Sequence, residues 1–280
     1  MMNMILAKRP LGPNVVELVV EAPRIAARAR AGQFAVVRLH ERGERIPLTL
    51  ADWDPGRGTI TLVVQMVGKS TRELGERFGI GDTIRDVVGP LGSPSTIRRY
   101  GTVVCVGGGV GIAPIYPIAR ALRAEGNEVI AVVGARTKDL LLWLDRIAEV
   151  SSELHIATDD GSQGVKGVVT TPLQEVLATR KVAHVWAIGP AIMMKFCART
   201  CQEFGVPATV SLNAIMLDGT GMCGACRVEV GGETRFTCVD GPEFPGDLVN
   251  WDLLLSRLGT FTDEERYALE RYVAAQGGRS

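Results

Sequence analysis

The sequence predicts an all-β unit followed by an α/β unit: a small antiparallel β-barrel, a parallel-sheet α/β domain, and a short C-terminal metal-binding segment ending in a helix. Three observations predict it. Short alternating or Val-rich strands separated by Gly, Pro and Asp turns fill the chain from Ala7 to about Val87. Apolar strands then alternate with helical stretches from about Tyr100 to Pro207, the pattern of a parallel sheet. After Val210 glycines and cysteines crowd together through Pro245, in a segment too small to build much core alone and so suited to a metal staple. The expected boundaries are 1–98, 99–209 and 210–280.

The first unit rests on the runs VVELVVEA, QFAVVRLH, IPLTLAD and TITLVVQMV, whose lengths and turn-rich flanks suit a barrel. Two features in it are candidates for a nucleotide. Arg45 precedes IPLT, and the loop Gly68-Lys69-Ser70-Thr71 opens the helix-like RELGERF. A guanidinium and a helix N-terminus both suit a diphosphate. Taken singly, each also reads as a surface arginine or an ordinary helix cap, because Ser70 and Thr71 are good capping residues.

In the second unit TVVCVGG, NEVIAVVGA, LHIATDD and HVWAIGP read as strands, with PIYPIARALRAEG and TTPLQEVLATRK as helices between them. The first strand runs into VGGGVGIAP. There Gly107, Gly108, Gly109, Val110 and Gly111 let the backbone approach a pyrophosphate, with Pro114 in the first turn of the following helix. Later strand ends repeat the layout with Gly134 and Arg136 in GARTKD, Asp159 in TDDGSQG, and Gly189 and Pro190 in IGPAIMM. These loops lie where an open α/β sheet binds a dinucleotide. Arg136 and Lys138 leave the choice between a 2′-hydroxyl and a 2′-phosphate open.

The third unit carries LDGTGMCGACRVEVGGETRFTCVDGPEF. Cys223 and Cys226 form a C-x2-C hook on a glycine-rich turn, and Cys238 returns after an expected hairpin, RVEV then GGETRFT. Ferredoxin-type [2Fe–2S] sites take four protein ligands, commonly C-x4-C-x2-C and a distant cysteine. Counting back four intervening residues from Cys223 reaches Asp218, whose harder oxygen can complete such a site and shift its potential. The same residue types also suit structural zinc, and Asp218 also suits the opening of an Asp-Gly turn. Cys197, Cys201 and Cys105 read as core residues. At the C-terminus, Thr262 and Glu265 suggest a capping box ahead of the helix DEERYALERYVAA.

Composition narrows the classes. The 280 residues are 46% apolar, enough for real cores, and Lys plus Arg and Asp plus Glu both total 31. A formal charge of zero provides no field for nucleic acid or an anionic membrane. The start MMNMILAKRP lacks the apolar region of a secretory signal, and clustered cysteines point to metal in a reducing compartment, so a cytoplasmic protein is expected. The uncharged stretch from Thr102 to Ala119 approaches the length of a membrane span, but its glycines and prolines favour a buried strand, a loop and a helix start. His40, His155 and His184 form no catalytic dyad and read as structural, so no catalytic residue is assigned.

In order along nearly the whole chain, R-x-x-x-T, GKST, GGGVGIAP and D-x4-C-x2-C-x11-C resemble the ferredoxin–NADP⁺ reductase superfamily. The likeness is to the branch shared by the dihydroorotate dehydrogenase electron-transfer subunit and the small subunit of NADH-dependent reduced ferredoxin:NADP⁺ oxidoreductase. The former carries cysteine where this chain has Asp218, and the latter carries aspartate, which favours the latter. The resemblance implies FAD in the barrel, NAD(H) on the α/β domain, and a [2Fe–2S] cluster on Asp218, Cys223, Cys226 and Cys238. It places Pro47, Leu48 and Thr49 along the flavin, with Val63, Val64 and Gln65 from the neighbouring strand, and Ser70 and Thr71 at the FAD phosphates. Leu48 departs from the superfamily's tyrosine, and Arg45 stands one residue early. A flavin between a hydride donor and a one-electron cluster converts two-electron into one-electron traffic. With no terminal acceptor evident on the chain, a partner is expected. The resemblance makes it a larger flavin and [4Fe–4S] subunit that performs electron bifurcation with ferredoxin and NADP(H). A dihydroorotate-type or hydrogenase-linked reductase subunit would share the cofactors, and a zinc-holding regulatory protein would lack flavin.

Overall fold

The computed structural model describes residues 3–277. Eight strands build the first unit: β1 (Asn3–Gly12), β2 (Val15–Glu21), β3 (Phe34–Arg38), β4 (Arg45–Thr49), β5 (Asp52–Asp54), β6 (Thr59–Gln65), β7 (Thr83–Ile84) and β8 (Asp86–Leu91). They form a five-stranded sheet ordered β5-β6-β2-β1-β7 and a three-stranded sheet ordered β4-β3-β8. Every pairing within the two sheets is antiparallel. Alternation turns Ile5, Leu18, Ile60, Leu62 and Ile84 inward, where they are fully buried with Leu74 of helix α2 (Lys69–Arg77); the short α1 (Pro23–Ala26) adds Ile25. Each fully buried side chain of this kind contributes roughly 1.5–3 kcal/mol.

The second unit has six parallel strands: β9 (Thr102–Gly108), β10 (Glu128–Ala135), β11 (Glu153–Thr158), β12 (Val165–Lys166), β13 (His184–Ile188) and β14 (Ala208–Ser211). The helices are α3 (Ile112–Ala124), α4 (Leu144–Val150), α5 (Thr170–Thr179) and α6 (Ala191–Glu203). Sheet order is β12-β11-β10-β9-β13-β14, so the chain builds outward from β9 in one direction and then returns to build in the other. The crevice between β9 and β13 is the topological switch point. The stretch from Thr102 to Ala119 is the strand, loop and helix start expected, and no helix among the described residues is long and apolar enough to cross a membrane.

The third unit holds the hairpin β15 (Arg227–Val230) and β16 (Glu233–Phe236), then β17 (Glu243–Pro245), α7 (Trp251–Leu258) and α8 (Thr262–Gly277). β17 pairs antiparallel with β14 and completes a seven-stranded sheet. The expected boundary at 209/210 thus falls inside β14, and the segment after it is stitched into the sheet before it. The capping box at Thr262 is not formed: the hydroxyl donates to the Gly259 carbonyl at 3.0 Å. α8 reaches back to the barrel, where Tyr272 and Gln276 each donate to Glu76 of α2 at 3.2 Å.

Candidate functional site

A cavity of about 850 Å³ lies between the barrel and the α/β domain, over the switch point. Its barrel wall includes Pro47, Leu48 and Thr49 of β4, Val63 and Gln65 of β6, and Thr71 of α2. The opposite wall includes Gly108 at the end of β9 and Gly109, Val110, Gly111 and Pro114 beyond it, Gly134 near the end of β10 and Arg136 beyond it, Asp159 after β11, and Gly189 and Pro190 after β13. Two glycines show why this loop sequence is needed. A Cβ on Gly111 would stand 2.3 Å from the Ile188 carbonyl oxygen, so only glycine lets α3 start tight against β13. Gly109 has φ +56° and open space around its Cβ position, leaving the turn free to take a charged group against the α3 amides.

Five expected residues do not line the cavity. Val64 is fully buried in the barrel core, because period-two alternation that aims Val63 and Gln65 at the cavity aims Val64 away. Arg45 is exposed at the start of β4, and Ile46 lines the wall instead. The Ser70 hydroxyl donates to the Glu44 carboxylate, and Gly68 caps α2, its amide donating to the Thr71 hydroxyl at 3.0 Å. Gly107 lies beneath α3, where a Cβ would meet the Ile112 Cα at 2.9 Å. Phe34, Ile192, Met193 and the run Ser211 to Ala214 also line the cavity, with no sequence motif to single them out. The last group starts at the final residue of β14 and has no motif to mark it, though it stands at a strand's C-terminal end like the other loops.

The cysteine segment folds on turns. Cys226 and Cys238 are buried with their sulfurs 3.2 Å apart, while Cys223 is exposed on the same hook. Both carboxylate oxygens of Asp218 face this loop, Oδ1 accepting from the Thr220 amide at 2.9 Å and Oδ2 from the Cys223 amide at 2.8 Å. Those two amides, Thr220 first, hold the Asp218 carboxyl below the usual carboxylate range. The Cys238 amide points at the Cys226 sulfur at 3.5 Å. Two guanidiniums fasten the turn between the C-x2-C cysteines: Arg227 donates to the Gly224 carbonyl and Arg257 of α7 to the Ala225 carbonyl, each at 3.1 Å. Burial and the adjacent Cys226 push the Cys238 thiol up to about 12. The donor types, two buried thiols, one exposed thiol and one carboxylate, are ones an iron–sulfur cluster can take, although among the described residues no three of them converge on one metal-binding position. Cys105, Cys197 and Cys201 are buried core residues, as expected.

Comparison with known proteins agrees with this geometry. Residues 213–250 match the iron–sulfur cluster binding domain of dihydroorotate dehydrogenase B, and residues 105–199 match the oxidoreductase NAD-binding domain. The chain is 53% identical over 276 residues to a Thermotoga maritima protein described as a dihydroorotate dehydrogenase B (NAD⁺) electron transfer subunit homolog, covering 99% of this chain and 97% of that protein. It is 34% identical to the dihydroorotate dehydrogenase B (NAD⁺) electron transfer subunit of Desulforamulus reducens, over 89% of this chain and 97% of that one. A chain from the NADH-dependent reduced ferredoxin-NADP oxidoreductase structure, described for its insights into flavin-based electron bifurcation, is 52% identical with a TM-score of 0.92, covering 98% of both chains.

Fold and site together define an NAD(P)H-dependent oxidoreductase subunit of the ferredoxin-reductase fold, with an FAD- and NAD-binding body and an iron–sulfur domain. Within that class the chain belongs to the family of dihydroorotate dehydrogenase B electron-transfer subunits and their homologues.

Proposed function

We propose that this chain is the NADH-oxidising, electron-transfer subunit of a bifurcating NADH-dependent reduced ferredoxin:NADP⁺ oxidoreductase. The observation that carries this reading is one cavity walled by all three parts of the chain, with the cysteine hook on the same segment that supplies Ser211 to Ala214. When bound, FAD and a [2Fe–2S] cluster supply the conversion of a two-electron hydride into single electrons. The protein's own part is placement. Pro47, Leu48 and Thr49 with Val63 and Gln65 hold the flavin ring, while the apolar side chains among them, with Phe34 and Ile46, keep water from it. The turn from Gly108 to Gly111 and the α3 amides hold the nicotinamide dinucleotide's pyrophosphate, and Gly189 and Pro190 bound its other side. Asp159, beside Arg136 in the wall, opposes a 2′-phosphate and favours NADH.

Asp218, Cys223, Cys226 and Cys238 are the proposed cluster ligands. Electrons leave from this edge of the molecule to a larger flavin and [4Fe–4S] subunit, which serves ferredoxin and NADP(H) in the cytoplasm. The exposed apolar residues Leu217, Met222 and Val239 beside Cys223 suit that contact; Met222 is 89% exposed. A second reading, a dihydroorotate-linked subunit, is favoured by the match over residues 213–250 and differs only in the partner.

Purification of the native complex tests both. The expected result is a flavin and [4Fe–4S] partner, iron and flavin on this chain, and reduction by NADH in preference to NADPH. A copurifying dihydroorotate-oxidising subunit would establish the second reading, and absence of flavin would overturn both.

A further inference from the structure

Beside the cavity, but outside it, a second junction joins the barrel to the α/β domain through charge. Asp52 opens β5, directly after Ala51 of the cavity wall. Its Oδ1 accepts from Arg120 of α3 at 2.6 Å, and its Oδ2 accepts from Arg146 of α4. The Asp52 side chain is 18% exposed, while the two guanidiniums are each about a third exposed. Aromatic rings frame the two guanidiniums. Arg120 lies 5.2 Å from the centroids of both Trp53 and Tyr116, and Arg146 lies 4.4 Å from Tyr116 and 4.2 Å from Trp143. Trp143 holds a left-handed φ of +53°, rare for a bulky residue, and its indole donates to Glu17 of β2 at 3.0 Å. The strained turn thus spends its conformational cost on a second tie to the barrel.

The elements tied together are those that wall the cavity. Asp52 pairs with Thr61 of β6, the strand that carries Val63 and Gln65 to the flavin side. Arg120 lies on α3, whose first turn follows the Gly109 to Gly111 loop. Arg120 lies nine positions after Gly111, about 13 Å along a helix. A rotation of roughly 5° about the clamp moves the start of α3 by about 1 Å at that distance, and a 1 Å misplacement of reacting groups can cost about a hundredfold in rate.

We infer that Asp52 is a positioning residue for hydride transfer: by holding Arg120 and Arg146 together it fixes the angle between the flavin-side and nicotinamide-side walls. The inference rests on the proposed placement of FAD on the barrel and NADH on the α/β domain. Asp52 is not among the residues that line the cavity.

The test compares wild type, Asp52→Asn and Asp52→Glu in the native complex, using rapid-mixing flavin reduction at saturating NADH and hydrogen exchange of the resting complex without nucleotide. The expected result is a limiting rate lowered about tenfold or more in Asp52→Asn, with the NADH concentration for half-saturation and the flavin content unchanged, and recovery of most of the rate in Asp52→Glu. Exchange should rise in α4 and the C-terminal half of α3, and stay unchanged in the barrel core. Should Asp52→Asn not fold, Arg120→Gln, which leaves the Asp52–Arg146 pair intact, is expected to lower the limiting rate in the same way and to raise exchange in the C-terminal half of α3 but not in α4. A limiting rate within twofold of wild type, or unchanged exchange in α3 and α4, would overturn the inference. Failure of NADH to reduce the wild-type flavin would instead refute the functional reading beneath it, while the exchange comparison would still decide the clamp.

Discussion

The cleft and the cysteine hook are built on opposite principles. The cleft hangs on strand ends and helix starts whose geometry is fixed by the packed sheet, and Ala113, Ile115 and Ile118 of α3 are fully buried behind it. The hook has almost no regular structure: Gly219, Gly221 and Gly224 all take positive φ, and its shape rests on a few directed bonds to Asp218, Arg227 and Arg257. A cleft of the first kind is set before its ligand arrives. A hook of the second kind depends on its metal for stability, so the two should fail independently.

The sharpest break is removal of a buried thiol. Cys238→Ser should abolish the cluster's absorbance and paramagnetic signal while flavin content stays near wild type, as counted by iron and flavin analysis; joint loss of both would show that the regions fold as one. Asp218 comes next. Asp218→Ala should lose or destabilise the cluster, and Asp218→Cys should retain it with an altered paramagnetic spectrum; an unchanged signal in both variants sinks the ligand assignment. On the cleft side, Gly111→Ala drives a Cβ to 2.3 Å from the Ile188 carbonyl, so α3 must shift. NADH affinity should drop about tenfold, roughly 1.4 kcal/mol, with the cluster spectrum intact; titration of both signals in one sample checks this.

Smaller effects refine the contrast. Arg257→Gln removes a charge-assisted bond to the Ala225 carbonyl worth about 1.5–3 kcal/mol. Cluster loss to a chelator should therefore accelerate several-fold or more, without change in NADH binding. The least effect is expected at the junction of all three units, where Glu243 of β17 accepts from Ser95 and burial raises its carboxyl to about 7. A folded-state value above the ordinary 4.5 means the native protein binds the extra proton, so stability falls as pH rises from about 4.5 to about 7. Glu243→Gln should raise the melting temperature at pH 8 relative to wild type, with little difference at pH 4.5. Equal effects at both pH values would refute the assignment.

Legibility followed the same division. The apolar runs of β9, β10 and β13 and the glycine loop after β9 stand out because a buried parallel strand is apolar on both faces. The cysteine hook stood out by its C-x2-C spacing, but that spacing also suits structural zinc, and the choice of a cluster came from the resemblance. What escaped had weak periodicity or mixed chemistry. β1 carries Lys8, Arg9 and Pro10 through its second half, and reads as a charged lead-in. α7 is only eight residues long, capped by Asn250, whose side chain accepts from the Leu253 amide at 3.1 Å. β17 is three residues ending in Pro245, with Pro242 just before it, and proline argues against a strand except at an edge.

That edge strand has a consequence for anyone who would move the iron–sulfur segment as a cassette. β17 occupies the rim of the sheet, so excising the chain after residue 210 strips β14 of its outer neighbour and leaves a row of unmatched amides and carbonyls. Such a truncation should self-associate rather than behave as a clean flavin-and-nucleotide body. A graft onto another reductase needs the whole seam, β14 and β17 together, to be transplanted with the cysteines.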